Sequence, residues 1–195
     1  MLRRSCFVGF TVAALLMAGH GMAPVLSASM QKPIKHTTVY SDGGTPPTSM
    51  RVLWDRSDAV VRARIENMAP ADQYYSSSRY VITAFGFRVA EVFKADSRLA
   101  APGATFDVRR SGGDRDMGDY ILAVDESEFP RFTMGSEYIL FLRHEGSASS
   151  YFLEGADAAF AIDAEVVRSW GRAPAIKAHD GMRLETFTTL LKSLR

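Results

Sequence analysis

The stretch RYVITAFGFRVAEVFKADSRLAAPGATFDVRRSGGD, residues 79–114, decides the fold. Val81, Thr83, Phe85, Phe87, Val89 and Phe93 fall on one side of a period-2 pattern. Tyr80, Ile82, Ala84, Arg88 and Lys94 fall mostly on the other, which predicts a long strand with one strongly apolar face. Gly86 interrupts it, and a glycine inside a strand marks a bulge or a bend where a sheet curls. Ala101-Pro102-Gly103-Ala104 then sets Pro and Gly where a type II turn wants them, and residues 105–110 return as a second strand. A curled β-sheet domain follows. No catalytic or ligand-binding signature accompanies it.

Working outward, residues 59–66 (AVVRARIE) alternate into a strand with Val61, Ala63 and Ile65 inward. Before it, Thr48 or Ser49 caps a short helix whose Met50, Leu53 and Trp54 lie at helical spacing. Residues 137–143 (EYILFLR) are apolar on both faces, so a second layer must cover them. The C-terminus offers that layer. Leu184, Phe187, Leu190, Leu191 and Leu194 recur at helical spacing over 182–195, with Asp180 as the expected cap. Such a helix is too short to stand alone; burying four side chains at about 1.5–3 kcal/mol each would hold it in place. Residues 151–153 and 158–162 read as strands, Val166 and Val167 as a continuation of the second, residues 120–124 as a short strand, and residues 67–78 and SGGDRDMGD (111–119) as loops.

The N-terminus is of another kind. Arg3 and Arg4 precede an uninterrupted run of apolar and small residues over 6–17, and small residues follow at 26–29, the layout of a bacterial-type export signal occupying 1–29. A retained membrane anchor is the competing reading, weakened by Gly19, His20, Gly21 and Pro24. No Cys follows the LSA, which argues against a lipoprotein. Removing 1–29 takes away two arginines and no acid, so 23 basic against 22 acidic residues becomes one net negative charge. That balance disfavours a nucleic-acid surface, and export leaves the product periplasmic or secreted with no membrane segment of its own. Cys6, the one cysteine, leaves with the leader, so disulfides, thiolate metal sites and cysteine nucleophiles are excluded from the mature chain. Residues 30–47, with Gly43-Gly44 and Pro46-Pro47, read as a flexible tether, and 48–195 as a single domain.

The segments SDAVVRARI (57–65), YVITAFGFRVAEVFK (80–94), RRSGGD (109–114), FTMGSEYILFL (132–142) and YFLEG (151–155) together resemble a layout found in small exported bacterial proteins of unknown function. Their barrel is similar to the OB-type fold of netrin-like modules and tissue inhibitors of metalloproteinases. The resemblance spans about residues 57–168. It implies a mainly β protein, a five- to six-stranded partly open OB-like barrel with a short N-terminal helix and a C-terminal helix packed on it. Two departures stand out. Lys94 is followed by Ala95-Asp96 where such sequences carry Lys-Gly. The zinc-chelating N-terminal cysteine of the metalloproteinase inhibitors has no counterpart here, so that mechanism does not carry over.

Candidate chemistry is sparse. Asp114, Asp116 and Asp119 set carboxylates on a Gly-containing loop, the oxygen-rich arrangement a calcium ion would use, although the spacing is not that of an EF-hand and a solvated acidic loop is the better explanation. Arg110 with Gly112 and Gly113 joins a guanidinium to exposed backbone amides, an anion site in outline; strand alternation turns Arg109 to the opposite face. Tyr74 and Tyr75, in a Ser-rich loop, form the expected exposed contact pair, whereas Phe85 and Phe87 belong to the core. Glu91 falls on the apolar side: buried, it would titrate high and act as an acid; with a bulge at Ala90 it faces water, the expected outcome. His36, His144 and His179 show no shared spacing. These features predict an exported non-catalytic binding module that contacts a protein or cell-envelope component through its loops. The alternatives are a secreted hydrolase or metal-dependent enzyme whose site forms only in the fold, and a calcium-stabilised structural protein.

Overall fold

The computed structural model describes residues 31–40, 45–70, 81–127, 129–144 and 150–195. The export signal expected over 1–29 and the Tyr74/Tyr75 pair lie outside the described residues. Described elements, in chain order, begin with β1 (Ile34–Val39), α1 (Met50–Arg56), β2 (Ala59–Pro70), β3 (Ile82–Lys94) and β4 (Thr105–Ser111). There follow β5 (Gly113–Asp116), β6 (Ile121–Glu126), β7 (Glu137–His144), β8 (Ser150–Phe152), β9 (Ala159–Asp163) and β10 (Val166–Ser169). The chain ends with α2 (Pro174–Lys177) and α3 (Leu184–Ser193).

Strands β7, β2, β3, β4 and β8 are hydrogen-bonded in that order, and β8 pairs back onto β7, so the barrel closes on five strands. The contacts are antiparallel except β4–β8, which is parallel through Asp107–Ser150 and Val108–Tyr151. Counted along the chain, the order is first, second, third, fifth, fourth and back to the first, the connectivity of an OB barrel. Where a partly open barrel is expected, the β8 bridge closes it, and β9 and β10 extend the sheet from β7.

The predicted long strand is β3, and Val81, Thr83, Phe85, Phe87, Val89 and Phe93 are all buried. Bulges bend it. Val60 pairs with Lys94 and Val61 with Val92, skipping Phe93; Arg62 pairs with Glu91 and Ala63 with Val89, skipping Ala90; Ile65 pairs with Phe87 and Asn67 with Gly86, skipping Glu66. Each extra residue adds twist, and together they roll a two-stranded ribbon into a barrel wall. The Ala90 bulge also turns Glu91 out of the core, where its carboxylate meets Lys192 of α3 at 2.8 Å. A Cβ at Gly86 would run into the Asn67 side chain, which would have to turn aside.

Inside the barrel, Phe87 stacks on Phe106 at 5.5 Å and meets Phe132 and Tyr138 edge-on. The far face of β7 is covered as its two-sided apolarity demands: Phe141 packs on Phe160 at 5.8 Å, and Phe160 on Phe187 of α3 at 4.9 Å. Helix α1 buries Met50, Leu53 and Trp54, and the Ser49 hydroxyl accepts the Val52 amide at 3.1 Å as its N-cap. Its carboxyl end is closed by the Lys94 ammonium, which donates to the Trp54 and Ser57 carbonyls and sits where the helix dipole favours a cation. Gly103, at φ +87°, turns the hairpin after Pro102, and Ala104 donates to the Ala101 carbonyl.

Several expectations need correction. Residues 30–47 are not tether throughout, because β1 pairs in parallel with β6 from Ile34–Ile121 to Val39–Glu126. Its side chains are mostly exposed, so no apolar alternation announces the strand. Residues 111–119 are not all loop: Gly113–Asp116 pairs with β6, giving a small sheet in the order β1–β6–β5. Val166 and Val167 do not prolong β9 but return against it as β10, since Ala164 and Glu165 both take positive φ, the geometry of a type I′ hairpin turn. Asp180 does not cap α3; its carboxylate accepts the Ser169 amide at 3.0 Å and pairs with Lys177.

Candidate functional site

A cleft of about 310 Å³ opens between the ends of β2–β4 and the small sheet. Met68, Phe85, Val124, Phe129 and Phe132 supply its apolar walls. Its polar lining comes from Thr83, Arg110, Asp114, Asp125, Glu126 and Arg131. The Gly112-Gly113 step makes the cleft. Both residues take positive φ as the chain leaves β4 for β5, and a Cβ at Gly113 would run into the Thr83 hydroxyl. That hydroxyl donates to the Gly112 carbonyl at 2.6 Å, pinning the turn to β3.

Arg110 sits at the bottom. Its side chain is 7% exposed and that of Glu126 6%; Nη2 donates to Glu126 Oε2 at 3.1 Å, and Nη1 donates to the Pro130 carbonyl at 3.0 Å. The guanidinium stacks 3.9 Å from the Phe129 ring centre, with Phe132 and Trp170 farther off. Burial pulls the Arg110 pKa below the usual range of a guanidinium, and the Glu126 charge pulls back against it. Its Nε is buried without an acceptor. At the rim, Arg131 donates to Asp125 at 2.6 Å and to Asp114 at 3.4 Å.

The structure thus brings together Arg110, Gly112, Gly113 and Asp114, and separates Arg109, which faces solvent from the other side of β4. The geometry does not favour the anion site anticipated there. Arg110 is already neutralised by Glu126, and the Gly112 amide donates to the Val81 carbonyl at 2.6 Å. Nor do Asp114, Asp116 and Asp119 converge. Asp114 is engaged by Arg131, and Asp116 by Lys32 at 2.5 Å and by the Gly118 amide. Among the described residues no group of three or more His, Cys, Asp or Glu side chains is placed to hold a metal ion. His36 Nδ1 lies 3.9 Å from Asp125, His144 ends β7, and His179 follows α2, so the histidines stay apart.

Glu126, Phe129, Arg131 and Phe132 escape a sequence reading because their spacing is irregular. The FPRF run at 129–132, two aromatics flanking an arginine in a segment without periodicity, is the one signal that could have revealed them. A second polar cluster occupies the β7–β8 end of the barrel. Asp96 accepts the Arg98 and Leu99 amides and, at 2.6 Å, the Tyr151 hydroxyl. Burial opposes the Asp96 charge, but those three donors outweigh it and hold the carboxyl below its ordinary range. Burial, then the Asp96 carboxylate, pushes the Tyr151 phenol up. Asp96 thus organises the turn after β3 through its side chain, and the cluster is a structural latch. No protein-family model matches the chain, and no curated protein matches it, so a functional reading rests on the cleft's own geometry.

Proposed function

We propose that the protein is an exported, non-catalytic β-barrel module, periplasmic or secreted, that binds a protein or cell-envelope component at the cleft end of the barrel. One observation carries this reading: the cleft combines aromatic walls with ionisable groups that already satisfy one another, Arg110 with Glu126 and Arg131 with Asp125 and Asp114. Paired charges between apolar walls suit recognition, because they fix orientation without a free nucleophile or base. The volume agrees. At about 310 Å³ it stands at the bottom of the roughly 300–1,000 Å³ range of small-molecule sites, room for a side chain or two rather than a cofactor.

The test is a binding isotherm of the labelled protein on isolated cell envelopes. Saturable binding that Phe129→Glu abolishes supports the module; linear uptake, or equal uptake by the variant, overturns it. A hydrolase draws on the same cleft, since Asp114 from β5 and Asp125 and Glu126 from β6 meet there although no motif joins them. Turnover of generic ester, phosphoester or glycoside probes that disappears in Asp125→Asn would favour that second reading.

A further inference from the structure

The wall of the cleft contains an unfinished strand. Strand β2 is paired with β7 only from Ala59–Leu142 to Arg64–Glu137, and Ile65 exchanges its last bonds on that side with Ser136 and Gly135. Beyond the Glu66 bulge, residues 67–69 pair with β3 alone among the described residues. Among the described residues their other edge has no backbone partner. Met68, on this edge, lines the cleft and is 55% exposed. Next to it are Phe85, Phe129 and Phe132.

A free edge adjoining an apolar hollow is the pair of features used in strand addition: main-chain hydrogen bonds supply affinity, and a pocket that accepts alternate side chains supplies specificity. The charges choose the occupant. Asp114, Asp125 and Glu126 face Arg110 and Arg131, which leaves the lining with one negative charge in excess. At the mouth Asp114 and Asp125 are exposed by 56% and 46% of the side chain, with Arg131, 59% exposed, paired to both. We infer that residues 67–69 and the cleft together form a strand-addition site for an extended segment of a partner protein, one that places a large apolar side chain in the cleft and basic residues two positions to either side. The bulge at Glu66 keeps the edge short, so it admits one peptide strand and discourages edge-to-edge stacking of copies.

This inference rests on the proposed binding role and narrows it to one class of partner. The probes are three acetylated, labelled peptides: TKVFVKT, its acidic twin TEVFVET, and TKVFVKT with N-methylated central residues, titrated against the full chain by fluorescence anisotropy. The basic peptide is expected to bind, the acidic twin about tenfold or more weaker, and the N-methylated one not at all. Amide hydrogen exchange at residues 67–69 should slow on binding. Met68→Asp should abolish binding while leaving the melting temperature in place, because the side chain is exposed. Equal affinity for the two charged peptides, no binding by any of the three, or unchanged exchange at 67–69 overturns the inference. A dimer in sedimentation that Met68→Asp dissolves also overturns it and assigns the edge to a second copy. Saturable envelope binding that persists while the peptides fail leaves the module intact and removes only strand addition; loss of both removes the proposed function as well.

Discussion

The body of the barrel and its cleft end are built from the same aromatic stock and put it to opposite uses. In the body, Phe87, Phe106, Tyr138 and Leu140 pack on one another and are almost free of water, so the interior asks only for apolar volume. At the cleft end, Phe129 and Phe132 pack instead around the Arg110–Glu126 pair, which is equally buried but charged. The two regions should therefore respond to different insults. The body is sensitive to lost volume, while the cleft end is sensitive to a lost partner and tolerant when both partners go together.

The largest effect expected is in the body. Phe87→Ala removes a ring with 1% exposure and three aromatic neighbours, and should cost about 3–5 kcal/mol in urea denaturation with an unchanged slope. A loss below about 1 kcal/mol would mean the body is loosely packed and erase the contrast. Next comes the cleft. Arg110→Met strands the Glu126 carboxylate in an apolar site and should cost about 3 kcal/mol, whereas Arg110→Met with Glu126→Leu should recover most of it. If the double variant is as unstable as the sum of the singles, the pair is not the unit that matters there.

Smaller effects sharpen the edges of the picture. Ser49→Ala removes the α1 cap and should cost about 1 kcal/mol, read from the same denaturation curve. The smallest is a pH effect. Burial holds the His179 ring below its ordinary value of 6.5. Above that pH the ring is neutral in both states. As pH falls through 6.5 the unfolded chain takes up the proton first, so stability declines from there downward until the folded ring protonates too. Asp96 and Asp180, held below their ordinary 3.8, and Glu66, held below its ordinary 4.5, lose their contributions at lower pH, so among these groups the interval between about 5.5 and 6.5 belongs to His179. His179→Gln should flatten melting temperature against pH in that interval; an identical profile would show that another group titrates there.

Much of the body is legible in the residues. The alternation from Val81 to Phe93 and the two-faced run at 137–143 each name their buried side, and of the helical set Leu184, Phe187 and Leu191 are buried while Leu190 and Leu194 are half-buried. Even the fate of Glu91 follows once a bulge at Ala90 is allowed. The cleft end is different. Arg110 reads as a candidate anion contact because its partner Glu126 lies sixteen residues away at the end of another strand. Strand β1 hides in a polar segment, because its bonds go to β6, more than eighty residues downstream.

The order of side chains along the chain was enough to settle which faces are apolar, and hence that the protein is a curled β barrel with helices at its margins. Burial preference is a property each residue carries locally and repeats at a regular period. What closes the barrel, which carboxylate neutralises Arg110, and which aromatics line the cleft were decided only by the tertiary structure. Backbone pairing and charge pairing depend on which distant segments arrive side by side, and no period within a single segment records that.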